Sequence, residues 1–401
     1  MFACRKILHV DLDAFFCSVE ELLDPNLKGT PFATGGSPEG RGVISSCSYA
    51  ARKYGIHSAM PARQALGRLQ TLNIVKGHYS EYQSRSESVM RIIENLTPLV
   101  EKISIDEAFL DVSDLPEASL RIAIDLQFAI YSKLNLPCSI GCATNKLVAK
   151  IATNVGKANH LKDSTPMAIT VVNPGDEEEF LAPLPVIEMW GIGPKIAGVL
   201  NKLGVRTIGE IVAAPVENLK REFGNYALDL IKKAKGIDDH PVLDSETTKS
   251  VSNEITFGKD VFNRKELIST LKQLSEKVAE RLRRKGLSGK TIKIKLRWPN
   301  FETLTRQITI SQPTNQDSII FSTVCELFDN EWNGRTPIRL VGVGVSQLFD
   351  ELHQLSFFDD SYEREKQLLN AIDVLKERYG NDAVRKGFNP NEISYQKKSG
   401  F

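Results

Sequence analysis

The sequence predicts an α+β protein of several domains. Its 401 residues exceed the usual size of a single domain. Residues 6–155 alternate strand-like and helix-like stretches, in an order that is not a simple βαβ repeat. Residues 249–346 follow the order strand, helix, strand, strand, helix, strand, which indicates one sheet packed against two helices.

The first 172 residues predict one α/β region. An apolar strand over residues 6–13 leads into a helix that begins near Ala14, and loops rich in Gly and Pro follow it. The further predicted elements are strands at 31–34 and 42–48, helices at 61–69 and 80–96, two short strands that meet near 106–107, a helix at 117–134, a strand at 138–143 and a helix at 145–155.

The rest of the chain predicts a helical region, a linker and the last sheet. Residues 175–236 are typical of short helices separated by glycines, and the polar residues 237–248 are typical of a linker. Within 264–285 the apolar residues repeat with a helical period, and Gly286 predicts the end of that helix. A final helix is predicted at 361–379.

Composition excludes several classes of protein. Hydrophobic residues make up 41% and charged residues 25% of the chain, so a disordered chain is excluded. No apolar stretch is long enough to span a bilayer, and the first residues do not resemble a secretory signal. We therefore expect a cytoplasmic protein with no membrane partner. The six cysteines form no CxxC pair, which favours buried thiols over a zinc site or disulfides.

Carboxylates at the ends of two apolar strands predict a metal site. Asp11 and Asp13 end the first strand, and Asp106 and Glu107 lie at the junction of two later ones. Buried carboxylates are costly unless a cation neutralises them, and hard oxygen ligands suit Mg²⁺. Two Mg²⁺ ions would serve a phosphoryl transfer. The alternative is that one of these acids caps a helix or pairs with Lys or Arg.

Two weaker patterns are consistent with phosphate binding. Tyr49 and Arg52 share a helix face at a spacing of three, and a hydroxyl beside a guanidinium can hold a triphosphate. Lys157 follows Gly156 near the end of a predicted helix. A surface helix face is the alternative for both.

Two regions predict contact with nucleic acid. Gly191, Gly193 and Lys195 lie between short helices in a helix-hairpin-helix pattern, where glycines let backbone N–H groups approach a phosphate. Residues 249–348 carry 17 basic and 10 acidic side chains. Within 281–297 there is no acid, and the basic residues are Arg281, Arg283, Arg284, Lys285, Lys290, Lys293, Lys295 and Arg297. From residue 292 to 297 they alternate with apolar residues, as on a strand with one cationic face.

The segment after the last predicted strand is apolar and aromatic in polar surroundings. Its residues that could dock in a partner's pocket are Gln354, Leu355, Phe357 and Phe358. Packing onto the preceding domain is the alternative.

Together these motifs resemble the Y-family DNA polymerases. The stretches that carry the resemblance are HVDLDAFFCSVEE, GVISSCSYAARKYGIHSAMP, ISIDEAFLDVSD and GIGPKIAGVLNKLGV, and the resemblance runs from about residue 6 to 358. It implies a right-hand polymerase with palm, fingers and thumb, and a β-α-β-β-α-β little-finger domain. The implied bounds are 1–16 and 77–172 for the palm, 17–76 for the fingers, 173–236 for the thumb, 237–248 for a linker, 249–348 for the little finger and 349–401 for a clamp-binding peptide with a C-terminal extension.

The resemblance also implies roles for single residues. Asp11, Asp106 and Glu107 match the catalytic metal ligands, with the Leu12 carbonyl as a further ligand, whereas Asp13 matches no ligand. Phe16 matches the steric gate against ribonucleotides, with Phe15 beside it under the sugar. The residues that match triphosphate contacts are Tyr49, Arg52 and Lys157, and the segment that resembles a bacterial clamp-binding peptide is 354–358.

The implied function is low-fidelity translesion DNA synthesis without proofreading. The expected cofactor is two Mg²⁺ ions, and the expected partners of a monomer are primer-template DNA, a dNTP and a bacterial sliding clamp. Two alternatives remain at this point. A palm-type nucleotidyl cyclase would share the paired acids, and a non-catalytic DNA- and clamp-binding scaffold would keep the basic strand and the aromatic segment.

Overall fold

The computed structural model describes residues 5–160, 165–243 and 248–350, and in the C-terminal part residues 368–369, 371–375, 378–380 and 384. The chain divides into two compact units, Met1–Glu246 and Thr247–Phe401. Within the described residues, no helix combines the length and the apolar character that crossing a membrane requires.

The first unit begins with two sheets and their helices. Its elements up to residue 171 are β1 (Ile7–Leu12), α1 (Phe15–Leu23), β2 (Phe32–Gly35), β3 (Ile44–Cys47), α2 (Tyr49–Arg52), α3 (Ala62–Arg68), β4 (Asn73–Val75), α4 (Tyr79–Glu94), β5 (Val100–Lys102), β6 (Glu107–Asp111), α5 (Ser119–Leu134), β7 (Cys138–Ala143), α6 (Lys146–Asn159) and β8 (Ile169–Val171). The sequence did not predict β4 and β8. Each has three residues, too few to show a period of two, and each pairs in parallel with a longer strand.

The larger sheet has the strand order β5-β6-β1-β7-β8, and the smaller one has the order β3-β2-β4. β1 is antiparallel to both of its neighbours and lies at the centre of the larger sheet. Leu8, Val10 and Leu12 pack in a core with α4 and α5, whereas Ile7 packs in a second core with α6. Helices therefore cover both faces of β1, which explains why its sequence is almost continuously apolar.

A close approach between α6 and β7 brings one face of α6 onto the sheet. A Cβ atom on Gly141 would lie 2.0 Å from the Ala149 carbonyl oxygen, so only glycine permits this contact. The helix can then lay its long side chains across the end of β1. This approach positions the lysines of α6 beside the strand-end carboxylates.

Five short helices complete the first unit, as the glycine-separated pattern predicts. They are α7 (Glu177–Leu181), α8 (Pro194–Lys202), α9 (Ile208–Ala213), α10 (Val216–Phe223) and α11 (Tyr226–Ala234). Thr207 and Glu210 form a capping box at the start of α9, because each side chain accepts a hydrogen bond from the other residue's backbone N–H. Apolar residues of these helices join the core beneath α6.

The second unit confirms the predicted order of strands and helices. Its elements are β9 (Ser250–Val261), α12 (Arg264–Arg284), β10 (Leu287–Arg297), β11 (Thr303–Thr314), α13 (Asp317–Glu331) and β12 (Ile338–Asp350). The antiparallel sheet has the order β11-β10-β12-β9. Ile292, Ile294 and Leu296 of β10 are fully buried with α12 and α13, so the alternate residues lie on the opposite face, the open face of this sheet.

The predicted C-terminal helix lies partly outside the described residues. Residues 368–369, 371–375 and 378–379 are helical, and the Leu369 side chain is buried. The Asp373 carboxylate pairs with Arg283 at the end of α12, at 2.6 and 3.0 Å. This part of the C-terminal extension therefore contacts the end of α12 within the second unit.

Candidate active site and nucleic-acid surface

Three predicted carboxylates meet where β1 ends beside β6. Asp11 lies directly opposite Glu107 in the antiparallel register. The Leu12 N–H donates to the Asp106 carbonyl oxygen at 2.9 Å, which ties the residue before β6 to the end of β1. The Leu12 side chain itself is buried in the core. The topology thus gathers acids that lie about 95 residues apart in the sequence.

Two side chains of the sheet and of α6 hold Glu107 in its ionised form. The Lys150 ammonium lies 2.6 Å from Glu107 Oε2, and the buried His9 ring lies 3.5 Å from the same oxygen. The hydrogen bond from His9, together with Lys150, lowers the pKa of Glu107 to about 2. Burial lowers the pKa of His9, so the ring is neutral at pH 7.

The Lys157 side chain contacts the carboxylates of Asp11 and Asp13. Its ammonium is 2.5 Å from Asp11 Oδ1 and 3.1 Å from Asp13 Oδ1. Burial alone would lower the pKa of Lys157, but the two carboxylates outweigh burial and raise that pKa, so the side chain remains charged. Asp13 is fully buried and also accepts hydrogen bonds from the Ser139 hydroxyl and the Met167 N–H. Asp13 is therefore a buried partner of Lys157 and is not accessible to solvent.

Asp106 forms no ion pair in the part of the chain that the structure describes, although the Lys157 charge acts on it. Its Oδ1 accepts a hydrogen bond from the Ser104 hydroxyl at 2.5 Å. Burial raises the pKa of Asp106, and the charges on Asp11 and Glu107 raise it further. A divalent cation would relieve this excess of negative charge, and carboxylate oxygens are the ligands that Mg²⁺ prefers. The donor set therefore fits such an ion.

The carboxylates do not form a ready metal cluster in this arrangement. Within the described ranges, no three His, Cys, Asp or Glu side chains are disposed to hold a metal ion. Lys157 engages Asp11 and Lys150 engages Glu107, so both ammonium groups place positive charge beside these carboxylates.

Tyr49 lies beside Asp13, and Arg52 lies against the Tyr49 ring. The Arg52 guanidinium stacks over the Tyr49 ring at 4.4 Å, and the Tyr49 hydroxyl lies 3.5 Å from Asp13 Oδ1. Burial, with a contribution from Asp13, raises the pKa of Tyr49 and keeps the phenol protonated. Both side chains line a cavity of about 510 Å³. The structure thus brings together all three predicted triphosphate-binding side chains, Lys157 included.

The two aromatic residues at the start of α1 have different surroundings. Phe16 is partly exposed and stacks on Tyr82, with ring centroids 4.2 Å apart and planes 10° apart. The Tyr82 hydroxyl donates to the buried carboxylate of Glu20. Phe15 is 2% exposed and packs in the core with α4 and α5. Phe16 therefore presents the accessible ring, whereas Phe15 is buried, and the predicted place of Phe15 under the sugar stays a prediction.

The glycines of the predicted hairpin motif lie in the turn between a short 3₁₀ helix, residues 186–188, and α8. Gly191 has φ +96°, a conformation that favours glycine. Gly193 is the N-cap of α8 in an extended conformation, and a Cβ atom there would contact nothing within 4 Å. Gly191, Gly193 and Lys195 are all exposed. Packing within the protein does not require glycine at position 193. The open space there would let a ligand approach the backbone.

The five basic residues of the second unit that are predicted to contact DNA separate into two groups. Lys293, Lys295 and Arg297 lie on the open face of the sheet, as the alternation predicts. Arg283 and Arg284 lie instead at the end of α12, which packs on the opposite face.

Arg283 and Arg284, both predicted to contact DNA, lie away from the open face, and their predicted role stays a prediction. The Arg283 side chain is 8% exposed, pairs with Asp373 and donates to the Asn315 carbonyl oxygen. Arg284 pairs with Glu280 one helical turn away. The predicted clamp-binding residues Gln354, Leu355, Phe357 and Phe358 lie outside the described residues.

Sequence patterns did not single out several side chains that shape the site. His9, Lys150 and Tyr82 contact the carboxylates or the Phe16 ring. One signal was available, because Lys146, Lys150, Thr153 and Lys157 recur on one face of α6 at helical spacing. Charged residues on the face of a helix that packs on a sheet indicate a polar site beneath them.

Comparison with known proteins decides the family. The profile of the impB/mucB/samB family matches residues 10–154, its C-terminal domain matches 248–357, and the IMS family HHH motif matches 174–205. A protein named DNA polymerase IV from Dehalococcoides mccartyi strain 195 is 38% identical over 389 residues, which cover 96% of this chain and 97% of that protein. The chain belongs to the Y-family DNA polymerases.

Other relatives and solved structures agree with this assignment. A DNA polymerase IV from Streptococcus mutans is 36% identical over 89% of this chain and 96% of that protein. Among solved structures, a Y-family polymerase chimera of Dbh and Dpo4 is 24% identical with a TM-score of 0.76, and covers 86% of this chain and 99% of the chimera. DinB from Sulfolobus solfataricus is 25% identical with a TM-score of 0.59, over 85% of this chain and 98% of that one. These likenesses support the mixed α+β fold of the family.

Family membership establishes the coarse activity of this Y-family chain. It is a DNA-directed DNA polymerase, of the translesion type, and its family uses a divalent metal cofactor. The polymerase assignment disfavours the cyclase and the scaffold that the motifs alone left open. The domain bounds and the roles of single residues remain predictions.

Proposed function

We propose that this chain adds dNTPs to a primer 3′-OH on damaged or distorted templates by two-metal phosphoryl transfer, without proofreading. The convergence of Asp11, Asp106 and Glu107 beside Tyr49, Arg52 and Lys157 carries this proposal. Hard anionic ligands next to three phosphate-binding side chains suit the transfer of a nucleotide and its triphosphate.

The carboxylates would hold the metal ions, with the Leu12 carbonyl as a further ligand. When bound, two Mg²⁺ ions supply charge that acidifies the 3′-OH and neutralises the triphosphate. Lys157 and Lys150 hold the carboxylates in position while no substrate is present, since both ammonium groups contact them directly. The Lys157 ammonium then binds a phosphate oxygen of the incoming nucleotide, next to the guanidinium of Arg52 and the phenol of Tyr49.

The other predicted residues contact the sugar and the DNA. The Phe16 ring excludes a ribose 2′-OH. The turn around Gly191 and Gly193, with Lys195, binds backbone phosphates through N–H groups and charge. Lys293, Lys295 and Arg297 bind the duplex backbone from the open face of the sheet in the second unit.

Primer extension tests the proposed function directly. Purified protein with Mg²⁺, dNTPs and a primed template should add nucleotides, and chelation of the metal by EDTA should stop addition completely. A mismatched 3′ nucleotide should remain in place during prolonged incubation without dNTPs. Removal of that nucleotide would contradict the absence of proofreading, and addition that persists in EDTA would contradict a metal-dependent mechanism.

Reversal of charge on the open face should weaken DNA binding. The variant with Lys293→Glu, Lys295→Glu and Arg297→Glu should have a lower affinity for primer-template DNA and a flatter salt dependence. The slope of log K against log salt should fall by about 0.9 for each phosphate that the variant no longer neutralises. Fluorescence anisotropy over a range of NaCl concentrations measures both quantities. An unchanged slope would show that this face does not bind DNA.

The segment 354–358 should bind a bacterial sliding clamp. We expect that deletion of these five residues abolishes stimulation by the clamp, because the peptide supplies the aromatic anchors for its pocket. Extension without the clamp should be unchanged, since the segment follows the last strand of the sheet. Stimulation of the deletion variant equal to that of the intact protein would place the clamp contact elsewhere.

A further inference from the structure

On the open face of the sheet in the second unit, two sets of residues lie side by side across three neighbouring strands. In each of these two rows the residue of the middle strand is a glycine. Because β12 contributes no side chain at these positions, a groove of about 190 Å³ runs over it between β10 and β9. The rows, each read from β10 across β12 to β9, are Lys295, Gly342 and Glu254, and Lys293, Gly344 and Ser252.

In the first row an ion pair spans the groove. Lys295 Nζ lies 2.7 Å from Glu254 Oε2, although the two residues belong to strands that do not pair with each other. A Cβ atom on Gly342 would lie 3.1 Å from the Cβ of Glu254 and 3.4 Å from that of Lys295. Glycine therefore keeps open the space above β12 that the two side chains cross to meet.

The second row has no such pair. The Lys293 side chain has no hydrogen-bond or ion-pair partner among the described residues, and its row ends in the neutral Ser252. Two lysines on one face, two residues apart, thus differ in their charge environment. Lys293 offers an unpaired ammonium to the groove, whereas Lys295 offers one that a carboxylate already neutralises.

We propose that Glu254 is a built-in counterion that occupies, at Lys295, the position of a DNA phosphate and so lowers the affinity of the open face for the DNA backbone. The inference rests on the proposed role of this face in DNA binding. A carboxylate and a phosphodiester are both anionic acceptors for an ammonium group. The pair is 32% and 49% exposed, and such surface pairs contribute little stability, so DNA can displace Glu254 in exchange.

Binding of the full chain to a primer-template duplex at several NaCl concentrations tests the inference. Glu254→Gln should tighten binding about 3- to 10-fold near 0.1 M salt and steepen the salt slope by up to about 0.9, because one more phosphate is neutralised. Asp329→Asn is the matched control. It removes the same charge from a 2.7 Å pair with Arg264 on the helices of the same unit. The control should bind like the unmodified protein.

A shorter acid at position 254 distinguishes the ion pair with Lys295 from simple repulsion between the carboxylate and DNA phosphates. Glu254→Asp keeps the charge but shortens the reach over Gly342, so it should tighten binding in part if the ion pair is what masks Lys295. Unchanged affinity of Glu254→Asp, or equal tightening by Asp329→Asn and Glu254→Gln, would overturn the inference.

A further variant distinguishes failure of this inference from failure of the DNA-binding face. Lys293→Gln should weaken binding if the open face contacts DNA. Weakening by Lys293→Gln together with no effect of Glu254→Gln would overturn the role of Glu254 alone. No effect of either variant would overturn both the DNA-binding role of this face and the inference that depends on it.

Discussion

Replacement of Asp106 by asparagine should reduce primer extension by about 10³-fold, the equivalent of about 4 kcal/mol less transition-state stabilisation. The amide has nearly the shape of the carboxylate and can still accept the hydrogen bond from the Ser104 hydroxyl. Only the negative charge is removed. Asp106 is the predicted ligand that forms no ion pair among the described residues, although the Lys157 charge acts on it.

The same substitution should leave the fold intact, and this makes the prediction sharp. Burial and two neighbouring carboxylates raise the pKa of Asp106, which means that its charge is unfavourable in the free protein. Removal of that charge should keep or raise the thermal midpoint, and DNA binding should persist. Asp125→Asn, on the exposed face of α5, is the control and should extend primers normally. Full activity of Asp106→Asn would exclude Asp106 as a ligand.

Sequence alone predicted the carboxylates because their signal is local. Acids at the ends of apolar strands are unusual, and two such strands limit where the acids can meet. The same reasoning gave the order of elements in the second unit and the cationic face of β10, because the period of two over residues 292–297 is distinctive.

Sequence could not give the features that depend on distant partners. Arg283 belongs to a basic run, yet its guanidinium pairs with Asp373, ninety residues later, and no local pattern encodes that contact. Lys150 reaches Glu107 only because Gly141 lets α6 approach the sheet closely. Phe15 and Phe16 are adjacent in the sequence, and only the packing of α1 decides which ring is buried.

The contacts of Phe16 suit its predicted role, in which the ring excludes the 2′-hydroxyl of a ribonucleotide. Tyr82 stacks flat against it, and the Tyr82 hydroxyl is fixed by Glu20, which is 3% exposed. Burial and Glu20 raise the pKa of Tyr82, so the phenol remains a hydrogen-bond donor. A ring with such support cannot easily move away from a 2′-OH, since that would break the stacking contact. Steric selection requires this rigidity.

Phe16→Ala should therefore admit ribonucleotides. We expect the preference for dNTP over rNTP, measured as the ratio of kcat/KM values in single-nucleotide addition, to fall about 100-fold, the range that pocket shape can supply. Incorporation of dNTPs should change much less, because the carboxylates and the triphosphate contacts remain. Phe128→Ala removes an exposed ring from α5 and should keep the preference of the unmodified protein. If Phe16→Ala also keeps it, the ribose is excluded by another part of the site, and the Phe16–Tyr82 stack serves only to pack α1 against α4.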